Sequence, residues 1–276
     1  MTYPFLKGHG TENDFVLLPD LDGSVHGDLS PDDLAQRVRA LCDRRAGIGG
    51  DGVLRVLRST TPDDPGSAPW FMDYRNADGS IAEMCGNGIR VFVRHLVDEG
   101  LADGGQPIRV DTRDGVKVLT VDGALITVDM GTPKLLGETV VSVEDRELAA
   151  TNVDMGNPHA VTFVESLDDA GRLYDAPGHD AAVYPDGVNV EFVVRRGDRH
   201  VAMRVHERGS GETRSCGTGA CAVMVAAAVA DDASRDTDVA YRVDVPGGTL
   251  TVTWTVDDRV LLTGPAVVVA RGETDL

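Results

Sequence analysis

One short phrase occurs twice in this chain. Cys85-Gly86-Asn87-Gly88 and Cys216-Gly217-Thr218-Gly219 stand 131 positions apart in 276 residues, and each runs directly into an apolar, helix-like segment. The repetition calls for two similar halves, each presenting a cysteine at the start of a helix. There the positive end of the backbone dipole favours thiolate over thiol, and the glycines leave backbone N–H groups open to an anion.

The surrounding pattern supports two halves. In the first, β-like runs at Phe5-Leu6 and Phe15 to Leu18 flank a polar turn. Ser30-Pro31-Asp32-Asp33 then predicts a helix start, with Leu34, Val38 and Leu41 on its apolar face and Gly47 as its end. Strands follow at Val53 to Leu57 and Trp70 to Tyr74, around a Pro/Asp/Gly-rich loop at 60–69. After Cys85, the spacing of Ile89, Phe92, Val93 and Leu96 predicts an amphipathic helix ending near Gly100, with Arg90, Arg94 and Asp98 on its polar side. Hairpins then run from Ile108 to Met130, turning at Asp114-Gly115 and Asp122-Gly123.

The second half repeats that order. Strands are expected around Val153, Val161 to Val164, Val190 to Val194 and Val201 to Val205, then the cysteine and an all-apolar helix to Ala230, then strands at Tyr241 to Val245, Leu250 to Val256 and Val260 to Leu262. No β-α-β rhythm is evident, so the expected class is α+β. It comprises two pseudo-symmetric lobes, each a mostly antiparallel sheet wrapped round a central helix, with an active-site cleft between them. The boundaries are placed at 1–129 plus 261–276 for the first lobe and 130–260 for the second.

A net charge of −19 argues against nucleic acid or an anionic membrane surface as a partner. The apolar run from Ala220 to Ala230 is far shorter than the roughly 20 residues that span a bilayer. The opening residues lack the pattern of a signal peptide, so a cytoplasmic location is expected. Four cysteines without zinc-ligand spacing suggest reduced thiols rather than a disulfide scaffold or a metal site. Cys42 and Cys221 read as small buried hydrophobes, whereas the glycines beside Cys85 and Cys216 suit close ligand approach.

Two like groups in opposite protonation states are what inversion of a carbon centre needs, because one proton leaves as another arrives on the opposite face. Charge developing on an α-carboxylate would be stabilised by the N–H groups of Gly86-Asn87 and Gly217-Thr218, with no metal or cofactor required. A disulfide between the two thiols on oxidation would abolish such activity.

The motifs together resemble the diaminopimelate epimerase family. They are His9-Gly10 with Asn13-Asp14-Phe15, Gly47-Ile48-Gly49 with Asp51, Asn76 to Ser80, both cysteine phrases, Met155 to His159, Val188-Asn189, Glu207 to Thr213 and Pro246-Gly247-Gly248. The resemblance implies pyridoxal-phosphate-independent interconversion of LL- and meso-diaminopimelate, which supplies lysine synthesis and peptidoglycan cross-linking, and it implies a homodimer. It makes Cys85 and Cys216 the acid/base pair, with His159 and Glu207 adjusting their ionisation. Asn13, Asn157 and Glu207 would lie near the reacting amino end. Asn76, Asn189 and Arg208 would grip the distal end, Arg208 forking onto a carboxylate. Asp51 and Asp78 read as turn formers. The chain departs from the family pattern at Gly52, where glutamine is common, and at Glu12, where glycine is frequent. The rival readings are a proline racemase or hydroxyproline epimerase, which usually carries histidine where this chain has Asn87, and a non-catalytic amino-acid-binding relative.

Overall fold

A computed structural model describes residues 2–60 and 66–276; residues 61–65, within the loop expected at 60–69, lie outside the described residues. The first elements are β1 (Tyr3–Gly10), β2 (Asn13–Pro19), α1 (Pro31–Cys42), β3 (Gly52–Arg58), β4 (Trp70–Asn76) and α2 (Gly86–Asp98). Then come β5 (Ile108–Thr112), β6 (Gly115–Asp122), β7 (Leu125–Asp129), β8 (Lys134–Val143), β9 (Arg146–Asp154) and β10 (Pro158–Phe163). After a 3-10 turn at Leu167–Ala170 follow β11 (Gly178–His179), β12 (Asn189–Gly197), β13 (His200–Glu207), β14 (Gly211–Thr213) and α3 (Gly217–Ala230). The chain finishes with β15 (Val239–Val245), β16 (Gly248–Trp254), β17 (Val260–Pro265) and β18 (Val267–Thr274). Two compact units result: Met1–Val128 with Pro265–Leu276, and Asp129–Gly264.

In the first unit β1 pairs antiparallel with β18 and β2, β2 parallel with β3, β3 antiparallel with β4, β4 parallel with β5, and β5 antiparallel with β6. In the second unit the order recurs: β9 is antiparallel to β8 and β10, β10 parallel to β12, β12 antiparallel to β13, β13 parallel to β15, and β15 antiparallel to β16. Strand β18, from the C-terminal end, takes in the first unit the place that β8 holds in the second. The class is α+β and the sheets are mostly antiparallel, as expected, with four parallel pairs among the described strands. Parallel neighbours need a crossover of a dozen or more residues, and α1, α2 and α3 each lie within one. Hairpins between the crossovers hid that rhythm from the sequence.

Both faces of β2 are covered, and Phe15, Val16, Leu17 and Leu18 are all fully buried. Val16, Leu18 and Val53 pack with Val38 and Leu41 of α1. On the other side α2 lies against β1, β2, β3, β4 and β18. The counterpart α3 packs against β9, β10, β12, β13, β15 and β16. It is apolar all round, as a helix enclosed by its sheet must be.

Other differences have local causes. Helix α1 starts at the Ser30 cap, whose hydroxyl accepts the Asp33 N–H at 3.2 Å, but it stops at Cys42 rather than Gly47. The Asp43 carboxylate accepts the N–H groups of Arg45 and Ala46, both at 2.7 Å, and turns the chain away. Arg90 is completely buried rather than on a solvent face. Strands β8 and β18 were not expected, because most of their residues are exposed and give little alternation. No helix among the described residues is long and apolar enough to cross a membrane.

Candidate active site

Each cysteine caps its helix. Cys85 has extended backbone angles, and its sulfur accepts the Gly88 N–H at 3.4 Å. Cys216 does the same with the Gly219 N–H at 3.3 Å. A hydroxyl or carboxylate usually serves at this position, and here each sulfur lies at the positive end of its helix. The first N–H groups of each helix, at Gly86-Asn87 and Gly217-Thr218, have no carbonyl of their own helix to bond. None of the four cysteines is in a disulfide.

In the first unit the Cys85 thiol donates to Asn13 Oδ1 at 3.7 Å, and the Asn87 amide donates to the same oxygen at 3.2 Å. The opposite side of the Asn13 amide donates to Asp51 Oδ2 at 2.7 Å, which fixes its oxygen toward the sulfur. Asp51 is held in turn by Arg44 at 2.6 Å, and Arg44 also grips Asp14. Beneath the helix start, Arg90 donates to Gly86 O at 2.9 Å and Asn87 Oδ1 at 2.8 Å. Asn76, at the end of β4, accepts from Tyr74 at 2.9 Å and donates to Ser80 at 3.0 Å, so its amide is engaged within its own turn.

The second unit gathers more ionisable groups around its cysteine. The half-buried Glu207 bonds to Thr213 and to the Cys216 thiol. Burial pushes the Glu207 carboxyl up, more than these hydrogen bonds and the neighbouring His159 draw it down. Burial also pushes the Cys216 thiol well up, with Glu207 and Glu191 adding to the effect. His159 is fully enclosed, with Nδ1 2.6 Å from Glu191 Oε1 and Nε2 3.0 Å from Asn157 Oδ1. Asn189 spends both amide groups on main chain, donating to Pro158 O at 3.0 Å and accepting the Arg208 N–H at 2.9 Å. The exposed Arg208 guanidinium reaches Asp186 O at 3.3 Å.

Thus Asn13 and Asn87 gather at Cys85, while Glu207 and Thr218 gather at Cys216, the latter 3.5 Å from the sulfur. Asn157 and His159 join that second group through Glu191. Sequence reasoning missed Arg90 and Glu191 and undervalued Asp51. A charged residue in an otherwise apolar strand, as in Val190-Glu191-Phe192, was the available signal for Glu191. The Gly52 departure has a cause in the packing, since a Cβ there would lie 2.5 Å from Arg75 O and 2.8 Å from the Tyr74 ring. At the Glu12 departure, Thr11 and Glu12 both take positive φ, 48° and 62°, in the tight turn joining β1 to β2.

The family model described as diaminopimelate epimerase matches residues 5–136 and 151–269. A diaminopimelate epimerase of Streptomyces coelicolor is 58% identical, covering 98% of this chain and 95% of that protein. One from Corynebacterium glutamicum is 46% identical, covering 100% and 99%. Among solved structures, a phenazine biosynthesis protein of the PhzF family from Bacillus anthracis has TM-score 0.77 at 17% identity, covering all of both chains. A hydroxyproline epimerase from Agrobacterium vitis has TM-score 0.68 at 16% identity, covering 99% and 92%. These two show the fold alone, whereas the family model and the near-full-length relatives show descent: this chain belongs to the diaminopimelate epimerase family.

Proposed function

We propose that the chain is a cofactor-independent isomerase that epimerises LL-2,6-diaminopimelate to the meso form, with Cys85 and Cys216 as its proton-transferring pair. The observation that carries this reading is the repeated cysteine cap, a sulfur at the start of a buried helix in each unit. One sulfur takes the α-proton while the other delivers a proton to the opposite face of the carbon. Burial and the neighbouring Glu207 and Glu191 favour the thiol form of Cys216. Once deprotonated, Cys85 retains the Gly88 N–H and the helix dipole as stabilising partners.

The substrate carboxylate beside the reacting carbon accepts from the N–H groups of Gly86-Asn87 and Gly217-Thr218, which stabilise the charge that grows there. Asn13, Asn157 and Glu207 bind the reacting amino end. Asn76, Asn189 and Arg208 take the distal end after exchanging some of their present partners. A site so equipped favours diaminopimelate over an analogue lacking the distal groups, which forgoes those hydrogen bonds and the Arg208 ion pair. His159 and Glu207 tune the thiols. Catalytic thiols require a reducing compartment, which supports a cytoplasmic location. The reading includes a homodimer, to be checked by sedimentation.

The experiment is incubation in D₂O with LL-diaminopimelate and, separately, L-proline, following α-deuterium and stereochemistry. Deuterium entering diaminopimelate as the meso form accumulates is the expected result. Exchange with proline alone overturns the substrate, and exchange with neither overturns the activity.

A further inference from the structure

The two cysteine helices rest on different floors. Phe15 stands opposite Gly52 across the parallel pair β2 and β3, as His159 stands opposite Asn189 across β10 and β12. By that correspondence Leu54 and Glu191 occupy equivalent places, each two residues further along its strand. The glycines above them agree. A Cβ on Gly88 would touch Leu54 at 3.2 Å and Phe15 at 3.4 Å, whereas one on Gly219 would strike Glu191 Oε1 at 2.7 Å and lie 3.2 Å from Cys216 Sγ. An apolar floor therefore suffices for a helix of this kind. Under α3 that floor is replaced by a carboxylate and an imidazole, both with no exposed surface.

Burying these groups is costly unless their bonding is used. Glu191 Oε1 lies 2.6 Å from His159 Nδ1, and Nε2 of the same ring lies 3.0 Å from the oxygen of the half-buried Asn157 amide, so one ring stands between two acceptor oxygens. Glu191 Oε2 has no hydrogen-bond partner among the described residues. Asn157 lies in the tight turn between β9 and β10, where Gly156 has φ 93°. An amide in such a turn can rotate either way unless a partner holds it. A carboxylate that takes the ring proton on Nδ1 leaves Nε2 an acceptor, which draws the NH₂ of the Asn157 amide toward the ring by a half-turn and sends the amide oxygen outward, as the outer partners of metal-bound histidines fix what the other ring nitrogen does.

We propose that Glu191 is a positioning residue for epimerisation: by accepting the Nδ1–H of His159 it holds that ring so that Nε2 sets the orientation of the Asn157 amide toward substrate. The inference rests on the proposed activity for its kinetic test, but not for its spectroscopic one. The chain Glu191, His159, Asn157 runs from the closed interior to the half-exposed turn, and Gly219 is the residue that leaves room for it. Glu191 itself touches no substrate.

The test compares wild type with Glu191→Leu, which copies the floor under α2, and Glu191→Gln, which keeps an oxygen acceptor for Nδ1–H. Leu raises the KM for LL-diaminopimelate about tenfold, with kcat changed less than about threefold, and Gln restores KM to within about threefold of wild type. A low-field proton resonance from His159 Nδ1–H, assigned by its loss in His159→Gln, is present in wild type and Glu191→Gln and absent from Glu191→Leu. Unchanged KM in the Leu variant, a Gln variant as impaired as Leu, or no such resonance in wild type overturns the proposal. The resonance in wild type and the Gln variant decides the matter if the Leu variant does not fold. A wild type that shows the resonance but no turnover sinks the proposed activity and leaves the Glu191 to His159 link standing.

Discussion

At the scale of single residues, the thiols and the glycines near them carry the sharpest consequences. Serine at position 85 or 216 keeps the cap geometry but is a far weaker acid. Cys85→Ser and Cys216→Ser each lower epimerisation by about 10²–10⁴-fold, with unchanged circular dichroism. Near-normal turnover in either variant removes that residue from the mechanism. Gly52 carries a packing argument instead. Any side chain there meets the backbone of β4, so Gly52→Gln, the residue common in the family, destabilises the chain by about 1–3 kcal/mol, read as a lowered thermal midpoint. Asn13 shows how a neighbour sets orientation: its oxygen faces Cys85 because Asp51 takes the other end of the amide. From sequence Asp51 read as a turn former, since a bond across 38 positions leaves no trace in local spacing.

At the scale of elements, the cysteine helices are crossovers between parallel strands, so each is clamped at both ends by its sheet. Their starts were legible because caps and apolar spacing are local properties of the chain. What lies under them was not. Arg90 follows Ile89 in an amphipathic pattern and read as solvent-facing, yet it is enclosed and ties Gly86 O and the Asn87 side chain of the first turn to Pro265 O, which precedes β18. Replacing it with methionine keeps the bulk but strands these buried acceptors. Arg90→Met costs about 3 kcal/mol, measured by urea unfolding, and lowers activity by loosening the turn that carries Cys85. A stability loss under 0.5 kcal/mol would refute this reading of Arg90.

At the scale of the whole molecule, the acidic surface and the buried ionisable groups make stability depend on pH. His26 is enclosed beside Tyr3 and faces the Arg37 guanidinium at 3.0 Å. Burial lowers its pKa from 6.5 to about 4; Asp20 opposes the shift, and Arg55 and Arg37 add to it. The unfolded chain therefore takes up this proton first, and stability falls as pH drops from 6.5 toward 4, by roughly 3 kcal/mol at most. Burial opposes ionisation of Asp14 and Asp73, but Arg44 and Lys7 at the first and Arg113, Arg75 and Arg55 at the second outweigh it and hold both carboxyls low. Their contribution is complete above the ordinary carboxyl value of 3.8 and is lost below it, as these carboxyls protonate. A thermal midpoint that declines in two stages on acidification checks both terms, and His26→Phe removes the upper stage. The sequence by itself determined that two cysteines begin two helices in two similar halves, because caps, glycines and apolar spacing act within a few residues. Only the tertiary structure decided that Phe15 and Leu54 lie under one helix while His159 and Glu191, 32 positions apart, lie under the other. That choice depends on register between strands distant in the chain, and a change of one residue in register turns every side chain to the opposite face.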